Sequence, residues 1–141
     1  WRSQLAPGKM AHPVQVTDWM PTFTALTETS PKSDPRYDGQ DIWPLIIGEE
    51  DAPADRCIYW NFVWGRELGV RYGDWKFMSH ETDGVRTGEL FNIKDDPYEE
   101  HELAGEHPEI VDRLTAMIRE ERLKDGSSAR PDVDGPKWVE L

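Results

Sequence analysis

The amino-acid sequence predicts an α+β fold, a small antiparallel sheet of about four strands packed by a C-terminal helix. Three observations carry this. Between residues 57 and 93, short stretches rich in β-branched and aromatic residues alternate with glycine-containing turns. Short consecutive strands with short connections pair antiparallel. After them, residues 108–125 repeat apolar side chains at helical spacing within an acidic segment. At 141 residues, the chain holds enough for one ordinary domain and not for two large ones.

The elements follow in order. Residues 1–16 contain Pro7, Gly8 and Pro13 and read as an irregular entry. Asp18 fits an N-cap, with Trp19, Met20 and Pro21 in the first helical turn, where a proline loses no hydrogen bond. Trp19, Phe23 and Leu26 then share one face of a helix of about three turns. Residues 30–56 hold Pro31, Pro35, Gly39, Pro44, Gly48 and Pro53, so they form a loop and the candidate linker between two structural units. Within it, Asp41 caps a single turn at Ile42-Trp43-Pro44-Leu45.

Cys57–Trp64 reads as the first strand and Leu68–Tyr72 as the second. Gly73-Asp74 turns the chain into a third, Trp75–Met78. Residues 81–88, with Asp83-Gly84 and Gly88, read as a turn-rich loop before a fourth strand, Glu89–Ile93. Pro97 ends the sheet, and His107-Pro108-Glu109 opens the helix. Ile110, Val111, Leu114, Met117 and Ile118 make its apolar stripe, with Glu109, Asp112, Arg113, Glu120 and Glu121 outward, and Asp125-Gly126 its end. Residues 127–141 read as a loose tail. The aromatic residues Trp60, Phe62, Trp64, Trp75, Phe77 and Phe91 fall in the charge-balanced middle and are the expected core.

The net charge of −12 disfavours phosphate backbones and anionic lipid, so no nucleic-acid or membrane partner is expected. The longest apolar run is Leu45-Ile46-Ile47, far short of a membrane span. One cysteine, Cys57, excludes an internal disulfide framework and reads as a structural thiol. The first residue is Trp1, which suggests processing or a start within a longer protein.

The search for chemistry leaves little. His101-Glu102-Leu103-Ala104-Gly105-Glu106-His107 resembles a zincin motif, but the second histidine comes two residues late for one helix face, so a solvated loop is the better reading. Asp95, Asp96, Glu99 and Glu100, and Asp132-Val133-Asp134-Gly135, lack the spacing of a calcium loop and read as surface charge. There is no Gly-x-Ser-x-Gly elbow and no phosphate-binding glycine loop, and His12 and His80 stand alone. Trp60, Trp64 or Trp75, if exposed, would suit stacking on sugar rings.

Read in order, the landmarks resemble the C-terminal third of the arylsulfatase-like sulfatase family. Thr17-Asp18-Trp19-Met20-Pro21-Thr22-Phe23 is similar to its Asp-x-x-Pro-Thr helix start, and Asp38-Gly39-Gln40-Asp41-Ile42-Trp43-Pro44-Leu45 to the loop that follows. Val70-Arg71-Tyr72-Gly73-Asp74-Trp75-Lys76-Phe77 resembles the Val-Arg-x-Gly-x-(Trp/Tyr)-Lys hairpin. Glu89-Leu90-Phe91-Asn92-Ile93, Asp96-Pro97-x-Glu99 and Leu103-Ala104 continue the series. Thr27-Glu28-Thr29-Ser30 departs from the family's Ala-Gly after the helix.

The resemblance implies that residues 1–50 end an alkaline-phosphatase-like α/β catalytic domain, that 51–126 form the C-terminal sulfatase subdomain, and that 127–141 are a tail. It implies a sulfuric ester hydrolase acting on a sulfate ester, with a formylglycine nucleophile and a calcium ion in the full-length parent. Those groups would lie in a missing N-terminal sulfatase domain, the implied partner. Cys57 does not open a Cys-x-Pro-x-Arg motif, and the family's catalytic lysine is not transferred to Lys76. No catalytic, cofactor-binding or metal residue carries over, so this chain alone is expected to be inactive. Its role would be structural, with the loops around Trp64-Gly65-Arg66 and Ser79-His80 as a wall of the substrate cleft, where Arg66 or Arg71 suits an anion. Many relatives are periplasmic or secreted, and the residues here leave localisation open. The alternative is a non-catalytic carbohydrate-binding or interaction module built on exposed tryptophans.

Overall fold

A computed structural model of the chain describes residues 5, 7–10, 12–29, 37–49, 51, 56–62 and 65–125. It divides into two compact units, Trp1–Ala54 and Asp55–Leu141.

The second unit is a four-stranded antiparallel sheet in sequence order: β1 (Cys57–Phe62), β2 (Glu67–Tyr72), β3 (Trp75–Thr82) and β4 (Val85–Asn92). The helix α3 (Pro108–Lys124) packs on one face. Gly73, at φ 58°, makes the β2–β3 turn in a conformation that a side chain would strain. The β3–β4 turn is Asp83-Gly84 alone, with φ of 52° and 78°. Both are positive, as a two-residue hairpin turn twisted to match its strands requires. Residues 81–88 are therefore not the expected loop: apart from this dipeptide they are strand, paired Glu81 with Arg86 and Thr82 with Val85. Gly88 belongs to the strand for a packing reason, since a Cβ there would overlap the Phe77 ring.

Alternation along the strands puts Leu68 and Val70 of β2, Phe77 of β3 and Leu90 of β4 on the α3 side, where they meet Leu114 and Ile118. Ile110, Val111 and Met117 pack around this center as the helical stripe requires. The core is more aliphatic than expected. Phe77 and Phe91 are buried, but Trp60 and Trp75 are half-buried, Phe62 is exposed, and Trp64 lies outside the described residues. The register explains Trp60: it pairs with Gly69 on the face away from α3, and its ring fills the space a Gly69 side chain would take.

In the first unit a 3-10 turn, Val16–Asp18, runs into α1 (Trp19–Leu26), and α2 (Trp43–Ile47) follows the loop. Asp18 does not cap α1 with its side chain, because it is itself helical. Its buried carboxylate instead accepts the Gln15 N–H at 2.6 Å and the Gln40 N–H at 3.1 Å. Thr22 is buried beside it and accepts the Ile42 N–H at 3.0 Å. Gly39 is needed at this crossing, since a Cβ would overlap the Thr17 carbonyl. Asp41 accepts the Trp43 N–H at 2.9 Å, but it stands one residue before the N-cap, Ile42, so the expected cap is a local side-chain turn leading into α2. Of the residues expected to share one face of α1, Trp19 and Phe23 are exposed and stack on each other, with centroids 5.6 Å apart. The 127–141 tail and the 30–36 and 52–55 stretches lie outside the described residues.

Leu114 is fully buried and Leu123, on the same helix, is 87% exposed. Leu114→Ala is expected to destabilise the chain by about 2–5 kcal/mol. Leu123→Ala should change stability by less than about 0.5 kcal/mol, both read from urea unfolding midpoints.

Candidate functional site

Past Phe77, the β3–β4 hairpin changes character. Its α3-side pairs become Ser79 with Gly88 and Glu81 with Arg86, small and polar where the core pairs are large and apolar. Arg86 organises this end. Its Nη1 donates to Ser79 Oγ at 3.1 Å, and its Nη2 donates to the Gly65 carbonyl at 3.0 Å and to Glu81 Oε2 at 2.8 Å. The Glu81 N–H donates to the Arg66 carbonyl at 2.8 Å. Two bonds thus tie the β1–β2 connection to the hairpin, and Gly65 takes φ 84° to reach them. Because the small pairs leave space below α3, a groove of about 420 Å³ opens between helix and hairpin.

The residues singled out as a cleft wall are partly brought together here. Gly65 and Ser79 both contact Arg86. Ser79 and His80 are not a loop, however, but consecutive residues inside β3, so they face opposite sides of the sheet. His80 lies 3.2 Å from Glu89 on the face away from α3. Trp64 lies outside the described residues. Arg86 escaped the sequence reading because residues 81–88 looked like loop. The signal for it was the two-residue Asp-Gly turn, which places it opposite Glu81.

Lys76 Nζ donates to both oxygens of Glu99 at 2.6 Å and sits 6.0 Å from the center of the Trp60 ring. This joins the hairpin motif to the Asp-Pro-x-Glu stretch, with Glu99 in a left-handed conformation at φ 59°.

The zincin look-alike is more than a solvated loop. Glu102 Oε1 accepts the Leu90 N–H at 3.0 Å and the Ala104 N–H at 2.6 Å, and the Leu103 N–H donates to the Leu90 carbonyl at 2.9 Å. The Leu90 N–H and carbonyl are outward groups of edge strand β4, which is thereby covered at Leu90. His107 lies edge-on to Trp75, with centroids 5.1 Å apart, at the start of α3. Among the described residues, Asp96, Glu100 and His101 bring potential ligand atoms within 4.8 Å of one another. Asp96 already accepts the His101 N–H at 2.8 Å, and a trio containing an imidazole does not fit calcium, which takes about six to eight oxygens.

Burial, then the carboxylate of Glu121, pushes the Cys57 thiol up, the opposite of an activated nucleophile. The Leu90 and Ala104 N–H groups hold the Glu102 carboxyl below the usual range, and the His101 N–H does the same for Asp96. No described helix is long and apolar enough to cross a membrane.

No family model matches the chain. It is similar to an N-acetylgalactosamine-6-O-sulfatase of Bacteroides thetaiotaomicron, 21% identical over 84% of this chain and 25% of that protein. A structure from work on the metabolism of multiple glycosaminoglycans by Bacteroides thetaiotaomicron superposes with a TM-score of 0.71 at 20% identity, covering 87% of this chain and 28% of the other. The structure of Ps i-CgsB gives a TM-score of 0.71 at 23% identity, covering 92% and 29%. The chain thus spans about a quarter of the length of the relatives it matches. The resemblance to the C-terminal portion of sulfatases holds in sequence and in fold.

Glu102 titrates below the ordinary glutamate value of 4.5 in the folded chain, so its contribution is complete above that value and is lost as pH falls through the folded one. Thermal unfolding followed from neutral pH into the acid range should show the parent losing stability there, and Glu102→Gln should flatten that part of the curve.

Proposed function

We propose that this chain, whose fold is similar to the C-terminal region of sulfatases, is the C-terminal part of a sulfatase-type sulfuric ester hydrolase. The observation that carries the reading is the asymmetry of coverage: 84% of this chain against 25% of its curated relative. In this reading residues 1–50 close the α/β catalytic domain, residues 51–126 form the C-terminal subdomain, and residues N-terminal to Trp1 supply the nucleophile and metal ligands. Formylglycine would supply the attacking oxygen, and calcium would neutralise the sulfate. This chain would bring the packed sheet and the Gly65–Arg66 segment held by Arg86 and Glu81, as part of a cleft wall for a sulfated substrate.

The surface of α1 supports this assignment. Val16 of the preceding 3-10 turn and Met20 and Phe23 of α1, at spacings of four and three, are 83%, 60% and 53% exposed, with Trp19 stacked on Phe23. An uncovered apolar row of this kind marks a surface that normally meets another. The tryptophan-module alternative receives less support, because Trp60 is spent on Gly69 and Trp75 on His107 and the core.

The coding DNA upstream of the Trp1 codon is expected to hold an open frame with a Cys-x-Pro-x-Arg or Ser-x-Pro-x-Arg motif. A stop codon there would remove the hydrolase reading. The isolated chain should not turn over an aryl sulfate, and it should self-associate in light scattering. The Met20→Asp/Phe23→Asp double variant should be monomeric, and a monomeric parent chain would count against the missing-domain surface.

A further inference from the structure

We infer that the groove between α3 and the outer β3–β4 hairpin binds the ring of an anionic sugar, with Arg86 as the side chain that holds the anion. The groove lies wholly within the second unit, so the inference goes beyond the assignment above and does not depend on residues outside this chain. Its volume of about 420 Å³ falls in the range of small-molecule pockets and suits one or two pyranose rings. Its lining is mixed in a way a slack end of the core would not need. Phe77 and Ile118 give an apolar floor, Ser79 and Thr115 bring hydroxyls, Arg86 and Arg119 bring guanidinium groups, and the lining carboxylate, Glu81, is paired with Arg86.

Arg86 is preorganised. Its side chain is only 17% exposed and is fixed by Ser79, the Gly65 carbonyl and Glu81. Those bonds use three of the five N–H donors of a guanidinium, leaving two for a ligand. A planar donor group already locked in place loses little entropy on meeting a carboxylate or sulfate, and it does so beside an apolar floor where the bond is less screened. The same residue holds the Gly65–Arg66 segment, so a ligand on Arg86 is one bond away from the β1–β2 connection.

The test is an NMR titration of the 15N-labelled full chain with N-acetylgalactosamine 6-sulfate, with glucuronate as a second anion and N-acetylgalactosamine as the neutral control. Saturable shifts are expected at the amides of 79–88 and 115–119, with a midpoint in the millimolar range, and the neutral sugar should bind at least about tenfold more weakly. Binding of either anionic sugar supports the site, and the better one identifies the anion. Arg86→Gln should weaken binding about tenfold. Since that variant also frees Gly65, Thr115→Trp fills the groove from the helix side while keeping the Arg86 side chain and its bonds to Ser79, Gly65 and Glu81, and should abolish binding while leaving the unfolding midpoint unchanged. Absence of saturable shifts with both anions, equal binding of the neutral sugar, or unchanged binding by Thr115→Trp would overturn the inference. None of these results bears on the upstream reading frame or on self-association, so the hydrolase assignment stands or falls separately.

Discussion

The seam between Leu114 and Ile118 of α3 and the Leu68, Val70, Phe77 and Leu90 patch of the sheet is the interaction on which the second unit depends. Burying side chains of this size contributes about 1.5–3 kcal/mol each, while exposed ion pairs contribute about 1 kcal/mol or less. The seam therefore sets where the helix lies, and polar contacts record that placement. Tyr59 and Asn61 of β1 both donate to Asp125 at the end of α3, at 2.9 and 3.1 Å. At the other end, His107 meets Trp75, and the Arg113 guanidinium lies 4.7 Å from the center of the Tyr72 ring. Where the seam stops, at the change from Phe77 to Ser79, helix and hairpin part and the groove begins.

The first unit is organised on a different principle. Among its described residues, the fully buried ones are Asp18, Thr22 and Ile42, two of them polar, held by backbone hydrogen bonds across the loop. Several of its large apolar side chains, Val16, Met20 and Phe23 among them, are on the outside. A polar clasp of this kind fixes local geometry and adds little apolar burial. Such an arrangement suits a segment completed by a surface outside itself, in keeping with a chain that covers about a quarter of its relatives' length.

Much of the second unit was legible from residues. The helix over 108–124 and the strand order follow from periodicity and turn chemistry, which are local properties. The misreadings had local causes. Glycine at position 88 looked like a turn signal, but it answers the Phe77 ring on the neighbouring strand. Asp18 carries the composition of a cap, and its partner Gln40 lies 22 residues away. Glu102 sat in a stretch that looked solvated, while the strand edge it covers is formed by Leu90.

By itself, the sequence determined the α+β class, the meander, the amphipathic helix and the family resemblance, because these rest on spacings within about a dozen residues and on the order of short motifs. Only the tertiary structure decided which apolar residues form the core, which face of α1 is uncovered, and that Arg86 joins Ser79, Glu81 and Gly65. Those are outcomes of register and helix placement. A strand pattern states which side chains share a face, but not which face the helix will cover or where that cover ends.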